Sequence, residues 1–408
     1  MATETLSERQ EGAGNNRYDP EQRSAADVLR ADRCQPHPKR LTQLMFAVCK
    51  VCFGSLGLWV NNWWSYVPRT IVSLLCIYQA IYYMFVVLGC KSFDCRLRDQ
   101  NATHHNADRP ISNAVDTIAT LGAALSYGFF VFCFILAEKR DSALVSPADI
   151  MAKNLDNKDA SQLCVYFVSI TALYLCSVVV FFVIKRPQES STQFYTRITG
   201  VASQFLAQWT AITTCHVFAV SSFTLGTSAR DALRGIRNSA NSTLDHIIQI
   251  HENLCKVVFN TVSTYKWWFL LHWFSYGAVV ILSLIYISAE ITSGTKHDEF
   301  QHDTLKLVHS CLIFVCHVYL FLVPCIFAAR ITSCCTDIYD KINKTISSDW
   351  NAGHPFEHRS NIALFLSYAK DRHCGFKIGG IRFNTCLTWF SFFFGLTGLL
   401  FHFVQVVT

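Results

Sequence analysis

The chain has 408 residues, is 51% hydrophobic and only 16% charged, and carries 32 phenylalanines with a formal net charge of +6. The small positive excess, with no basic stripe interleaved with aromatics, argues against a nucleic-acid-binding protein. The apolar residues fall in long runs rather than in the short periodic stretches of a soluble core, which excludes an ordinary water-soluble domain.

Residues 1–40 carry seven basic and seven acidic side chains and no apolar run of the signal-peptide kind, so they read as a disordered cytoplasmic tail. The stretch 41–60 is apolar but has Lys50 at its middle, with Gln43, Ser55, Trp59, Trp63 and Trp64 framing it. A lysine at mid-bilayer costs roughly 2.5–3.5 kcal/mol, so this stretch is expected to lie in the membrane interface as an amphipathic helix. Seven runs then follow, at about 70–88, 114–136, 163–184, 198–223, 267–287, 305–328 and 384–407. Each is near the roughly 20 residues a helix needs to cross about 30 Å of hydrocarbon. The expected fold is therefore an all-α membrane protein of seven transmembrane helices plus the interfacial helix.

Basic residues set the orientation. A cytoplasmic N-terminus leaves Lys91, Arg96, Arg98, Arg109, Lys185, Arg186, Arg197, Lys296 and Lys306 outside, nine of the 35, and the other 26 inside. Asn101-Ala-Thr, a glycosylation acceptor, then lies in the first outer loop, where Cys90 and Cys95 face outward together and either pair or stay free. Most other cysteines fall in spans or on the reducing side. Cys334-Cys335 invites a metal or lipidation reading, but no Cys-x-x-Cys partner lies at zinc spacing. Between the fourth and fifth spans, Leu233, Ile236, Leu244, Ile247, Ile248, Leu254, Val257 and Val258 recur at helical spacing. Residues 224–266, 331–344 and 361–370 are thus expected to be cytoplasmic helical extensions that bundle below the membrane.

Polar groups inside spans are the candidate functional residues, because they are costly unless they face protein, water or each other. Asp116, Thr117, Tyr174, Gln204, Gln208, Trp209 and His309 lie in the outer halves of four spans. Such a mixture of polar and aromatic groups suits a small-molecule pocket, and equally suits plain interhelical hydrogen bonding. Cys215-His216 and Cys316-His317 juxtapose metal-ligand types, yet neighbours on a helix point about 100° apart and neither pair can chelate alone. No metal is expected. With no carboxylate pair, nucleophile elbow or clustered histidine box, neither is an enzyme. A G-protein-coupled receptor would reverse the charge asymmetry and lacks its usual motifs here: the third span ends in Val-Ile-Lys-Arg-Pro-Gln.

The order of these features, with Gly57-Leu58-Trp59 after the first helix and Gly379-Gly380-Ile381-Arg382-Phe383-Asn384 at the start of the last span, resembles the insect odorant and gustatory receptor superfamily, gustatory-receptor-like members above all. The resemblance covers 41–408. The last span departs from the family pattern, since Gly398 follows Thr397 and Gln405 comes one residue late, followed by Val406. What the resemblance implies is a homotetrameric, ligand-gated, non-selective cation channel with its last helix lining the pore. His402 and Gln405, three residues apart on one helix face, would face the pore, with Phe401 and Val406 gating by dewetting. The bland alternative puts His402 and Gln405 at a wet helix end. The implied partners are the lipid bilayer, an unknown small-molecule ligand, monovalent cations with divalent ones left open, and further copies of the chain; no cofactor and no nucleic acid are implied. The expected location is the plasma membrane, multi-pass, with the C-terminus extracellular. The degraded last-span motif also allows a non-conducting receptor-like scaffold or trafficking protein.

Overall fold

The computed structural model describes residues 40–58, 63–87, 109–139, 157–184, 191–238, 244–293, 300–343, 359–372 and 374–385. Its helices are α1 (Arg40–Ser55), α2 (Tyr66–Val87), α3 (Arg109–Lys139), α4 (Asn157–Ile184), α5 (Ser191–Asn238), α6 (Leu244–Ser293), α7 (Phe300–Asn343) and α8 (Arg359–Arg372), with a 3₁₀ turn at Trp63–Ser65 before α2. Among the described residues the fold is all-α apart from one small hairpin. The tail 1–39, Asn101, Cys90, Cys95 and the last span from 386 lie outside the described residues, and with them Phe401, His402, Gln405 and Val406.

Among the described residues three helices are long and apolar enough to cross a membrane, over Lys158–Val180, Leu244–Ser288 and Leu307–Ile342, and α1, α2 and α3 carry shorter apolar stretches. Outward-facing Ile71, Leu74 and Ile77 on α2, and Val165, Val168 and Val179 on α4, form an exposed apolar surface that water would not tolerate and lipid does. This is a multi-pass membrane fold.

The expected fourth span, 198–223, is a different kind of helix. Almost every residue from Ala207 to Gly226 is buried, as in a helix surrounded by protein. It therefore tolerates a polarity that a lipid-facing span would not. Its hydroxyls turn back onto their own helix: Thr210 donates to Ala207 O, Thr214 to Thr210 O, Ser221 to Val217 O and Thr224 to Val220 O, all within 2.7–3.0 Å.

Pair contacts give the helix directions. Ser177 meets His309, Tyr166 meets Tyr319 and Asp159 meets Arg330, so α4 and α7 are antiparallel. Likewise Cys215 meets His272 and Ser221 meets Tyr265 between α5 and α6, while Ser283 meets His317 and His251 meets Tyr339 between α6 and α7. Helices α4 and α6 run one way and α5 and α7 the other. On α3, a Cβ at Gly122 would lie 2.5 Å from Ser275 Cβ, so the missing side chain lets α3 and α6 touch closely, the small-residue device of membrane helices.

With 48, 50 and 44 residues, α5, α6 and α7 are about 65–75 Å long at 1.5 Å per residue, far more than a bilayer needs. The excess forms the helical bundle expected from 224–266, 331–344 and 361–370. In it His251 packs edge-on to Phe365 and Tyr368, each at 5.7 Å. The segment that leads from α8 toward the expected last span forms a hairpin. Lys377–Ile378 and Ile381–Arg382 pair as β1 and β2, with Lys377 opposite Arg382. Gly379 and Gly380 both have positive φ, 57° and 89°, the requirement of a tight hairpin turn that glycine meets at least cost. Cys374 Sγ lies 3.2 Å from Cys335 Sγ, and Phe376 N–H donates to Thr332 Oγ1 at 3.0 Å. The partner that Cys335 lacked in the sequence is thus a cysteine supplied by this hairpin segment.

The turn after α1 is fixed with equal care. Gly57 has φ 68° and its N–H donates to Gly54 O at 3.0 Å, while Leu58 N–H donates to Phe53 O at 2.7 Å. Arg69 Nε then donates to Gly57 O at 2.7 Å and Tyr127 OH to Leu56 O at 2.9 Å, tying α1 to α2 and α3. A Cβ on residue 57 would run into the Ser65 carbonyl and lie 2.8 Å from Arg69 Cγ. Gly57→Ala is expected to cost about 1–3 kcal/mol from the forced φ alone and to show as a lower apparent Tm and a smaller monodisperse peak on gel filtration. An unchanged peak and Tm would mean that this turn is not strained.

Candidate functional site

The bundle interior holds a seam of polar and aromatic groups running across α4, α5, α6 and α7. At one end Tyr174 stacks on Phe205 at 5.4 Å, and Phe205 stacks on Trp209 at 6.5 Å, with Phe167 edge-on to Trp209 at 6.3 Å. One turn along α5, Gln208 Nε2 lies 3.3 Å from His317 Nε2 of α7, whose Nδ1 is 3.3 Å from Ser283 Oγ of α6. With the amide donating, His317 accepts at Nε2 and carries its proton on Nδ1 toward Ser283; with the amide turned over, the roles reverse. In either case one amide atom of Gln208 is left without a partner.

Along α6, Trp268, His272 and Tyr276 stand four residues apart on one face. Their rings follow one another at 5.1 and 4.5 Å, and Tyr276 approaches His317 at 6.2 Å. The position of His272 has a cause in α7. Pro324 sits inside that helix, and having no N–H it leaves the carbonyl four residues back, Leu320, without its helical donor. His272 Nε2 fills the gap, donating to Leu320 O at 3.0 Å, with Cys215 Sγ at 3.3 Å from the same nitrogen. The proton is therefore on Nε2, and Nδ1 is a bare acceptor. That atom is buried without a partner, as are Tyr276 OH and Trp268 Nε1.

Of the sequence-predicted pocket residues, the fold brings together Tyr174, Gln208 and Trp209. His309 is engaged elsewhere, with its Nδ1 3.0 Å from Ser177 O, a plain tie between α7 and α4. Thr117 is half-buried on α3, and the side chains of Asp116 and Gln204 lie outside the described residues. Sequence reading missed His272, Tyr276, Ser283 and His317 as members of one seam. The four-residue ladder on α6 and the proline in the sixth span were the legible signals. Cys215-His216 does not act as a pair: Cys215 meets His272, while His216 Nδ1–H donates to Ile212 O at 2.6 Å. Among the described residues no three His, Cys, Asp or Glu side chains converge on a metal-sized position.

Each uncompensated buried polar atom costs about 1–3 kcal/mol. Here Gln208, Trp268, His272 and Tyr276 each present one, within an aromatic wall. A small, mostly apolar molecule with one or two hydrogen-bonding groups, or ordered water, would match that array. Further along α6, an open cleft of about 810 Å³ lies between α6, α8 and the hairpin, with Lys256, Phe259, Lys266, Tyr368 and Arg372 on its walls. Burial first, and the nearby Glu252 carboxylate second, push the Tyr368 phenol up to about 12, so at neutral pH it remains a neutral donor.

No protein-family model matches the chain, and no curated protein sequence does. Solved structures do. The insect olfactory receptor OR5 of Machilis hrabei in complex with eugenol superposes with a TM-score of 0.60 at 11% identity, covering 90% of this chain and 97% of that one. A second structure of that receptor superposes with a TM-score of 0.53 at 12% identity over 88% of this chain and 96% of that one. The chain has the fold of an insect olfactory receptor. The likeness runs over nearly the whole of both chains, and it agrees with the superfamily that the two short motifs and the order of spans resemble. At this identity it speaks for the fold, so activity must be argued from the residues.

Proposed function

We propose that the chain is a ligand-gated, non-selective cation channel of the insect chemoreceptor type. Its subunits have seven spans, a cytoplasmic N-terminus and an extracellular C-terminus in the plasma membrane, and assemble as a homotetramer whose last helix lines the pore. The observation that carries the ligand-gated reading is the buried seam of unmatched hydrogen-bonding atoms on Gln208, His272 and Tyr276, inside the fold of a receptor whose solved complex holds eugenol. The alternation of α4 and α6 against α5 and α7, together with the excess of basic residues on one side, supports the orientation. The open cleft at α6, α8 and the hairpin, with Phe259 exposed on its wall, supports subunit contact at that level. His402 and Gln405 would be compensated by water on a four-fold axis, where Phe401 and Val406 form the gate.

Purified protein in planar bilayers, challenged with panels of small aromatic and aliphatic odorants, tests the reading. Currents evoked by at least one ligand are expected, with poor discrimination among cations. Gln208→Leu should shift that ligand's dose response without altering single-channel conductance. Acidification should reduce the current, because an unperturbed histidine titrates near pH 6.5 and four His402 side chains around one axis repel when protonated; His402→Ala should remove the effect. Currents insensitive to every substitution at 401, 402, 405 and 406 would put the conduction path elsewhere. Reconstituted protein that never conducts would favour a non-conducting scaffold.

A further inference from the structure

Three helices leave their apolar stretches at one common level. The α4 run begins just after Asp159, the α5 run ends at Phe223 and the α7 run ends just before Arg330; Arg330 lies over the Phe223 ring at 3.7 Å and pairs with Asp159 at 3.2 Å. Such a shared change from apolar to charged residues is the pattern expected where helices leave a bilayer. A pocket of about 250 Å³ opens there, lined by Lys158 and Gln162 from α4, Arg230 from α5, and Arg330, Asp337 and Lys341 from α7, with Asp159 among them. Among the described residues four cations there face two carboxylates, and Asp159 is already shared by Arg230 and Arg330. The surplus is positive. Arg330 Nε is buried with no partner, so one donor of a held guanidinium is unspent.

The walls continue into the membrane as apolar stripes. On α4, Lys158, Gln162 and Val165 follow one another at helical spacing, and on α7 so do Lys341, Asp337, Arg330 and Ile326. Val165 and Ile326 are exposed, 62% and 42%. The polar end thus suits an anion and the stripes suit hydrocarbon chains, in the order in which a lipid presents them. The pocket is smaller than the roughly 300–1,000 Å³ of sites that enclose a whole drug-sized molecule, which fits a headgroup whose tails remain outside.

We propose that this pocket binds the phosphate-bearing headgroup of an anionic phospholipid, a phosphoinositide, from the adjacent leaflet. Guanidinium forks match phosphate oxygens in pairs, and the two lysines at the rim meet the additional phosphates. On the orientation proposed above the leaflet is the cytoplasmic one, which is the anionic leaflet; the test below uses detergent-solubilised protein and does not depend on orientation or conduction.

Binding of a fluorescent dioctanoyl phosphatidylinositol bisphosphate to the purified full-length chain, read by polarisation, decides it. Saturable binding is expected, displaced by the unlabelled lipid and not by dioctanoyl phosphatidylcholine. Inorganic phosphate or the chain-free inositol phosphate headgroup should compete only at much higher concentration. Lys158→Glu and Lys341→Glu, both exposed and so compatible with folding, should each weaken binding about fivefold, the weight of roughly one basic residue at an anionic surface. Lys370→Glu on α8, away from the pocket, should leave it unchanged. The charge-removing Lys158→Gln and Lys341→Gln serve where a reversal fails to elute as a single species. Absence of saturable binding, wild-type affinity in the double lysine variant, equal competition by the free headgroup or phosphate, or an equal loss in Lys370→Glu would each overturn the proposal.

Discussion

Asp159→Asn is expected to lower the apparent Tm of the purified protein substantially, by loss of about 2–3 kcal/mol. Breaking a buried ion pair by removing one partner costs roughly 3–5 kcal/mol when the survivor is fully buried. The carboxylate is 6% exposed, but the two arginines it holds are 40% and 30% exposed, so solvent recovers part of their loss. What is not recovered is positional. Asp159 sits in the first turn of α4, where its charge also faces the helix N-terminus, and its two oxygens tie α4 to α5 and α7 at once. Arg330 Nη2 would lose its acceptor while its guanidinium stays over Phe223. Adding Arg330→Met to Asp159→Asn removes one uncompensated charge and should return part of the stability. An unchanged thermal profile in Asp159→Asn, followed by fluorescence-detected gel filtration, would show that the three helices are held at this level by packing alone.

The all-α, membrane-spanning character and the long helical extensions of the described residues were legible because they rest on apolar run length and helical spacing, which bilayer thickness and the 3.6-residue turn translate directly. The seam was legible only in part. Tyr174, Gln208 and Trp209 announce themselves as polar or aromatic groups in a span, but His309 announces itself in the same way and turns out to bind a backbone carbonyl. Which of two such residues meets a partner depends on helix rotation and neighbour identity, and neither is written in local sequence. The burial of α5 was equally hidden. Its threonines and serines look like a weak span until their hydroxyls are seen bonding back along the helix. The hairpin was missed for another reason: Gly379-Gly380 is a strong turn signal, but it was read within a motif that leads into the last span. The thiol contact between Cys335 and Cys374 joins two distant segments, which spacing rules for local motifs cannot reach.

His272→Ala should destabilise the bundle through two effects that a second substitution separates. The imidazole is fully buried among Trp268, Tyr276, Cys215 and Leu320, and deleting a ring of such size from a packed interior costs about 3–5 kcal/mol, mostly as a cavity. The second effect is the loss of the donor to Leu320 O. In membranes an interhelical hydrogen bond averages only about 0.6 kcal/mol by double-mutant cycles, but this carbonyl has no helical alternative, because residue 324 is a proline without an N–H. Pro324→Ala supplies that N–H. If His272 is present to satisfy the proline-freed carbonyl, the cost of His272→Ala should be smaller in the Pro324→Ala background by about 0.5–1.5 kcal/mol, and His272→Gln, which keeps a donor, should fall between wild type and alanine. Strictly additive costs in apparent Tm would sink the coupling and leave His272 as a packing residue. On the channel reading proposed above the cycle also bears on gating, since a helix interrupted by Pro324 and tied to α6 by one imidazole is where the seam would act on α7. A response to ligand that survives Pro324→Ala and His272→Gln unchanged would place that action elsewhere in the bundle.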